Sequence, residues 1–227
     1  MMNADVKILT LGHVGMGTGD FEPFDQRYNS GMLVSPKAIQ EGAPIDALVI
    51  WGGEDISPSI YNSAVSKRTY APAVPSRRDR IEMDACLAAI DRGIPLIGVC
   101  RGAQLVCALA GGRLIQHVNG HGGGHMMETN DGETLRTTSV HHQMMDPFEV
   151  DHFLLAWASP CRSDVYIVGD DTSDGKFEER GIEPEVVWFP QIKALAIQGH
   201  PEFVSNPDTD PFVQYCMRMV DQYILGE

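Results

Sequence analysis

The chain has 227 residues, of which 43% are hydrophobic and 21% charged, a composition typical of a soluble globular protein. Its formal net charge of −14 argues against binding to nucleic acid or to an anionic membrane surface, because both need a basic patch. No apolar run is long enough for a membrane span, and the N-terminus lacks a secretory signal pattern. The five cysteines form no CxxC pair, so we expect reduced thiols and a cytoplasmic location.

The first half of the chain alternates apolar segments with amphipathic ones. Residues 18–44 follow neither pattern, and we interpret them as a loop-rich segment. Since helices and strands alternate elsewhere in this half, the pattern predicts βαβ units and a mainly parallel sheet. The predicted strands cover residues 6–11, 45–51 and 96–100, and the predicted helices cover 77–92 and 102–109.

The second half contains short apolar runs separated by turns rich in glycine and aspartate. These runs predict strands over residues 114–118, 137–140, 153–158, 165–168, 185–189 and 194–198, and residues 211–225 predict a closing helix. We therefore expect an α/β fold with a flavodoxin-like, mainly parallel sheet flanked by helices, to which antiparallel strands are added. We also expect residues 1–227 to form a single domain.

Cys100 stands where a predicted strand gives way to a predicted helix. The small residues Gly98 and Gly102 leave room for the sharp turn that would lift the sulfur clear of the sheet. The positive end of the following helix favours the reactive thiolate, and the N–H of Arg101 can stabilise the oxyanion of a tetrahedral intermediate. The pattern indicates a catalytic nucleophile, with a buried core cysteine as the alternative.

A cysteine nucleophile needs a base and a group that orients the base. His200 follows the last predicted strand, where open α/β sheets place catalytic groups. Glu202 lies two residues later, so its carboxylate can stay on the imidazole side and stabilise the imidazolium. We therefore predict a Cys100–His200–Glu202 triad.

At this point the sequence resembles the class I glutamine amidotransferase-like superfamily, whose hydrolases use Cys-His-Glu triads. The resemblance rests on Gly98-Val-Cys100-Arg-Gly102-Ala-Gln104 and on Gly199-His200-Pro-Glu202. Residues 51–61, 78–82 and 139–143 resemble the γ-glutamyl hydrolase branch, which includes γ-glutamyl-γ-aminobutyrate hydrolases. We interpret Arg78 and Asp79 themselves as a solvated pair at a helix start.

The resemblance implies a cysteine hydrolase that cleaves the γ-amide of glutamine or of a γ-glutamyl amine through a γ-glutamyl thioester. It assigns Gly53 as the second oxyanion donor beside Arg101, and Gln104, His142 and Gln143 as substrate-binding residues. It implies no metal and no cofactor. The expected partner is a small γ-glutamyl amide or glutamine, with a synthetase chain or a second copy of this chain as further partners.

Two other patterns suggest rival sites. His117, His121 and His125 recur every four residues, but the intervening glycines disfavour a helix, and no nearby carboxylate or cysteine completes a metal-binding set. We interpret this segment as a flexible loop over the active site. The glycine-rich residues 12–19 lack the Gly-Lys-Ser/Thr ending and the spacing of a nucleotide-binding loop.

The sequence does not identify the amine that the expected hydrolysis would release. Residues 18–44, and the stretch between Gln143 and His200, do not match the γ-glutamyl hydrolase pattern. Three functions therefore stay in view: a free-standing γ-glutamyl hydrolase, the glutaminase subunit of an amidotransferase that passes ammonia to a separate synthetase, and a non-catalytic regulatory module.

Overall fold

The computed structural model describes residues 9–15, 22–169 and 181–226. Its strands are β1 Thr10–Val14, β2 Asn29–Leu33, β3 Ala47–Ile50, β4 Leu96–Val99, β5 Arg113–Ile115, β6 His117–Val118, β7 His125–Thr129, β8 Thr134–Thr137, β9 Met144–Asp146, β10 Phe153–Ala158, β11 Tyr166–Ile167, β12 Pro184–Phe189 and β13 Ala194–Ile197. Its α-helices are α1 Phe24–Arg27, α2 Pro36–Gln40, α3 Arg77–Asp91, α4 Arg101–Leu109 and α5 Pro211–Val220. None of the helices in these ranges is long and apolar enough to cross a membrane.

Within the described residues, nine strands form one sheet in the order β2-β1-β3-β4-β13-β12-β10-β7-β8. The strands from β2 to β13 are parallel to their neighbours. The remaining pairs, from β13–β12 to β7–β8, are antiparallel. The predicted α/β fold, with a mainly parallel sheet and added antiparallel strands, is confirmed.

The side chains of the central strands alternate between two hydrophobic layers, as the pleat of a strand requires. Val49 and Ile97 pack in the layer that contains α1 and α5. Leu48 and Leu96 pack in the opposite layer, against the buried side chains of α2, α3 and α4. The central strands β3 and β4 are thus covered on both faces, which explains why their sequences are almost continuously apolar.

Several predicted elements are corrected by the structure. The segment 18–44, interpreted as loop-rich, contains α1, β2 and α2 in its described part. β2 is an edge strand with mostly exposed side chains, so it lacks an apolar signature. The strand predicted at 137–140 ends at Thr137 as β8, the run 114–118 is divided into β5 and β6, and β7 and β9 were missed.

The ends of the chain also differ from prediction. The first strand runs over Thr10–Val14, and residues 6–8 of the predicted strand lie outside the described residues. The closing α-helix ends at Val220, where a π-helical turn, Asp221–Leu225, replaces the predicted last turn.

His13 connects the ends of the first three strands. Its Nδ1 lies 3.0 Å from the indole Nε1 of Trp51, and its Nε2 lies 2.6 Å from Oγ of Ser30. Because an indole N–H can only donate, Nδ1 accepts and Nε2–H donates to the serine, which requires the neutral ring. Burial favours the same form and lowers the pKa of His13 to about 4.

This buried histidine should make the fold sensitive to acid. The unfolded chain takes up the proton near pH 6.5 and the folded chain only near about pH 4, so the free energy of unfolding should fall as the pH drops through this window. We expect His13→Gln to remove up to about 1.4 kcal/mol per pH unit of that slope. Urea unfolding of both proteins across the window measures it, and equal slopes would contradict the prediction.

Candidate active site

Cys100 lies between the end of β4 and the start of α4, in a strained backbone conformation. Its φ of 50° and ψ of −106° are rare for a residue with a side chain. Two hydrogen bonds hold it: its N–H donates to the carbonyl of Ile197 at 2.8 Å, and its carbonyl accepts the N–H of Gln104 at 3.1 Å. The turn therefore fixes the thiol at the carboxyl end of the parallel strands.

Two glycines allow this turn. A Cβ on Gly98 would collide with the backbone of Gly102, and a Cβ on Gly102 would collide with the carbonyl of Ile50 in β3. The first turn of α4 thus packs directly on the strand backbones, which only glycine permits. The small residues that the sequence analysis singled out are required by this close approach.

His200 and Glu202 lie at the end of β13, the strand next to β4. The imidazole Nδ1 lies 2.7 Å from Oε1 of Glu202, and the ring stacks on Phe203 with centroids 4.3 Å apart. The backbone of His200 is held by Thr138, whose Oγ1 accepts the His200 N–H at 2.8 Å and donates to its carbonyl at 2.7 Å. Both His200 and Cys100 border the same spot: a Cβ on Gly52 would lie 2.8 Å from His200 Cε1 and 3.5 Å from Cys100 Cβ.

The charge state of His200 follows from these neighbours. Burial favours the neutral ring, but interactions with Cys100 and with the Glu202 carboxylate outweigh it and raise the pKa of His200 to about 10. The ring Nε2, on the other side from Glu202, makes no aligned hydrogen bond within the described residues. A proton on His200 at neutral pH is the state that accompanies a cysteine thiolate.

Arg101, the residue after Cys100, stabilises the turn through buried ion pairs with α3. The guanidinium of Arg101 is 1% exposed and pairs with Asp79 Oδ1 at 2.5 Å and with Glu82. Glu82 also pairs with Arg78 at 2.7 Å, and Arg78 donates to the carbonyl of Gly52 at 2.7 Å. Two arginines and two carboxylates thus balance their charges and connect α3 to the turn and to the loop after β3. Asp79 is fully buried, so its interpretation as part of a solvated pair is wrong.

The two predicted oxyanion donors lie on either side of Cys100. Gly53 follows the end of β3, has a φ of 151°, and lies so close to the Arg78 guanidinium that a Cβ would collide with it. Arg101 is the first residue of α4. Since β3 and β4 are adjacent parallel strands, both backbones meet at one edge of the sheet.

The predicted substrate-binding residues form a second group beside the turn. Gln104 Nε2 donates to the carbonyl of Gln143 at 3.0 Å, and Gln143 Nε2 donates to Thr69 Oγ1 at 3.1 Å. His142 Nε2 lies 3.0 Å from Asp55 Oδ1, and its ring contacts that of Tyr70.

Asp55 joins this group to a segment that the sequence analysis missed. Its Oδ2 accepts the N–H of Tyr70 at 2.8 Å and the hydroxyl of Thr69 at 3.2 Å. Thr69 and Tyr70 lie in an irregular stretch without a motif or a periodic pattern, so the sequence carried no signal for them.

Comparison with known proteins bears on the family. The family model described as Peptidase C26 matches residues 36–148, which include the Cys100 turn. A Lactococcus lactis glutamine amidotransferase-like protein, YvdE, is 38% identical over 77 residues, which are 33% of this chain and 31% of that protein. A protein of Mycobacterium tuberculosis named as a candidate glutamine amidotransferase is 31% identical over 136 residues, 50% of this chain and 43% of that one. These matches support the class I glutamine amidotransferase-like superfamily as the family of this chain.

Two further comparisons concern more distant members of the superfamily. The carbamoyl phosphate synthase small chain of Salmonella typhimurium is 26% identical over 138 residues, 59% of this chain and 31% of that one. The crystal structure of a glutamine amidotransferase from Thermotoga maritima has a TM-score of 0.54 at 14% identity and covers 96% of this chain and 93% of that one. This likeness supports the fold. The matches to YvdE and to the mycobacterial protein span less than half the length of those relatives.

The three histidines spaced four residues apart do not behave as predicted for a loop over the site. His117 lies in β6 and contacts His142, with their Nδ1 atoms 3.4 Å apart. His121 and His125 are buried and lie beside Glu185 of β12. A carboxylate that is distant in the sequence therefore completes the set of ligand types that the sequence analysis found incomplete.

Removing the buried Arg101 guanidinium should destabilise this protein strongly. Arg101→Met leaves Asp79 and Glu82 buried without their partner, and we expect the free energy of unfolding to fall by about 3–5 kcal/mol. Arg101→Lys should lose less, because a cation remains. Arg218→Met breaks an exposed pair with Glu133 and should cost at most about 1 kcal/mol. Urea unfolding measures all three, and equal losses for Arg101→Met and Arg218→Met would contradict this account.

The raised pKa of His200 also predicts a dependence of stability on pH. The folded pKa lies above the unfolded value, so the stabilisation from the His200 proton should be complete below pH 6.5 and lost as the pH rises through about 10. We expect the difference in unfolding free energy between the natural chain and His200→Gln to shrink over this range. A difference that stays constant in chemical denaturation across it would show that His200 has no raised pKa.

Proposed function

We propose that this chain hydrolyses the γ-amide of glutamine or of a γ-glutamyl amine with Cys100 as nucleophile, His200 as acid and base, and Glu202 as the group that orients His200. The observation that carries the proposal is the 2.7 Å contact between His200 and Glu202 at the end of β13, next to the Cys100 turn at the end of β4. Nucleophile, base and orienting group in one place are what covalent amide hydrolysis requires.

The first half of the reaction forms an acyl-enzyme. The Cys100 sulfur attacks the γ-carbonyl carbon, and the carbonyl electrons move to its oxygen, which the N–H groups of Gly53 and Arg101 stabilise. His200 then gives its proton to the amide nitrogen, the C–N bond breaks, and the amine departs. Glu202 keeps the ring in place and stabilises its charge before the proton is transferred.

The second half returns the enzyme to its starting state. Water approaches the γ-glutamyl thioester from the side that the amine has left, and His200 takes a proton from it. The water oxygen bonds to the thioester carbonyl carbon, the C–S bond breaks with its electrons going to sulfur, glutamate leaves, and the thiolate beside the imidazolium is restored. The two halves of the reaction balance with the enzyme, the amide substrate and one water molecule.

The glutamyl end of the substrate is assigned to the group around Gln104. Gln143 has a buried side-chain oxygen without a hydrogen-bond partner among the described residues, so it can accept an N–H from a ligand. His142, paired with Asp55, lies beside it. A free amino acid end, with both an ammonium and a carboxylate group, fits a site that offers acceptors and a histidine together.

Variants of the triad test the proposal. Cys100→Ala should abolish release of glutamate from γ-glutamyl amides. Glu202→Gln should lower kcat by a factor on the order of 10³–10⁴, because the imidazolium loses its partner. Mass spectrometry of the natural chain mixed briefly with substrate should show the γ-glutamyl adduct on Cys100. Full activity of Cys100→Ala would overturn the proposal.

A second candidate function is that of an ammonia-donating glutaminase subunit. The similarity to a carbamoyl phosphate synthase small chain favours it, because that protein is by name one chain of a synthase. Both functions share the acyl transfer at Cys100, so triad variants do not separate them.

A screen of leaving groups separates the two functions. The purified chain is given glutamine and a series of γ-glutamyl amines, and the release of glutamate is measured, with Cys100→Ala as the control. We expect γ-glutamyl amines to turn over faster than glutamine. If the chain hydrolyses none of the γ-glutamyl amines, and hydrolyses glutamine only when a partner chain is present, the subunit function is favoured.

A further inference from the structure

Five polar side chains from three segments meet in the interior, outside the proposed triad. They are His121, His125, His141, Glu183 and Glu185, and each is at most 5% exposed. Histidine and glutamate are seldom buried in such number without a partner that satisfies them. The proposed amide hydrolysis uses none of them.

Three of these side chains converge on one point. His125 Nε2 lies 2.7 Å from Glu185 Oε1, and His121 Nδ1 lies 3.6 Å from the same oxygen. One ligand atom from each of His121, His125 and Glu185 can be chosen so that all three lie within 4.8 Å of one another. His141 packs against them, with its ring centroid 4.6 Å from that of His121.

The group has more polar atoms than hydrogen bonds. Among the residues the structure describes, Nδ1 of His121, Nε2 of His141 and Oε2 of Glu185 are buried without a hydrogen-bond partner. Buried polar atoms of this kind are rare because they lose their hydration and gain nothing in return. Three in one place point to a ligand that would satisfy them together.

Each histidine uses one ring nitrogen to contact a neighbouring carbonyl or carboxylate, so its other ring nitrogen can act as a metal ligand. His141 Nδ1 lies 2.8 Å from the carbonyl of Gln143 and His125 Nδ1 lies 3.4 Å from that of Gly123, so each can donate its N–H outward. Glu183 Oε2 lies 3.2 Å from Nε2 of His121. A carbonyl or carboxylate behind each histidine is the usual support of a metal-binding imidazole.

A protonated His125 paired with Glu185 would account for one contact of the group. Such a pair explains the 2.7 Å distance between His125 Nε2 and Glu185 Oε1. It does not provide a partner for Nδ1 of His121 or for Nε2 of His141. One cation can bind Nδ1 of His121, Nε2 of His141 and Oε2 of Glu185 together, while Nε2 of His121 stays beside the Glu183 carboxylate.

We propose that His121, His125 and Glu185, with His141 as the fourth ligand, bind one divalent metal ion of the zinc class. Imidazole nitrogens with one carboxylate oxygen suit Zn²⁺, which takes four ligands in a tetrahedron. Metal–ligand bonds of about 2.1 Å place the ligand atoms about 3.4 Å apart. His121, His125 and Glu185, whose ligand atoms lie within 4.8 Å of one another, would therefore move closer on binding, and His141 would turn toward them. Four protein ligands leave no open position, which makes this a structural site.

The metal would join parts of the chain that adjoin the candidate active site. Ser139 donates its hydroxyl to the carbonyl of His121 at 2.7 Å, and the ligand His141 directly precedes His142 and Gln143. Glu185 lies on β12, next to β13, which ends just before His200. Binding would therefore hold the proposed substrate-binding segment against the sheet.

The test uses the full chain, freed of metal by a chelator and then given Zn²⁺ or Co²⁺. We expect about one ion per chain to survive gel filtration, a higher Tm with Zn²⁺ than without, and a Co²⁺ absorption spectrum of a tetrahedral site without a thiolate band. His121→Gln and Glu185→Gln should lose the ion. The matched controls His117→Gln, from the same histidine series, and Cys100→Ser should keep it.

The outcomes separate this site from the proposed hydrolase chemistry. Failure to retain an ion, retention in both His121→Gln and Glu185→Gln, or loss in Cys100→Ser would each overturn the metal site without touching the triad. Should the ligand variants not fold, the Co²⁺ spectra of the natural chain and of Cys100→Ser decide. Matching tetrahedral spectra in both support the site, and their absence refutes it.

Discussion

The backbone of Cys100 is the constraint on which the rest of this structure depends. A residue with φ near 50° and ψ near −106° stores on the order of 1–3 kcal/mol of strain, which the surrounding packing must offset. The offset comes from α4, whose first turn lies directly on the carbonyl of Ile50, and from the pairing of β4 with β13. The strain and the close packing together place the sulfur where β3, β4 and β13 all end.

Buried ion pairs also stabilise the Cys100 turn. Arg101 is buried between Asp79 and Glu82, and Arg78 extends the group to the carbonyl of Gly52. One guanidinium therefore links the turn after β4 to α3, and a second links α3 to the loop after β3. Because these charges are desolvated, they are stable only as a complete set. The proposed nucleophile and the proposed oxyanion donors are thus positioned by one interior network.

The antiparallel half of the sheet contributes differently. Its strands bring Thr138 to the backbone of His200 and bring Glu183 and Glu185 to the histidines that follow β6. The parallel half therefore contains the proposed triad, while the antiparallel half contains a buried histidine–carboxylate group. The two are connected through residues 139–143, which pass from one to the other.

Much of the parallel half was predictable because its signals are local. Three local patterns are informative: the continuous apolar runs at β3, β4 and β13, the glycines around Cys100, and the spacing of His200 and Glu202. Each reflects a requirement of the neighbouring residues. The fold class and the grouping of the proposed triad could therefore be predicted from the sequence. The edge strand β2 was missed because an exposed strand has no apolar pattern. Its place is decided by hydrogen bonds to β1.

The sequence by itself indicated that Cys100, His200 and Glu202 follow buried strands, and with this the proposed nucleophile, base and orienting carboxylate. Only the tertiary structure decided that Asp79 and Glu82 enclose Arg101, and that Glu185 lies beside His121 and His125. The physical reason is that buried charges need partners, and those partners come from segments far apart in the chain. The spacing of residues along the sequence does not indicate which of these distant segments come into contact.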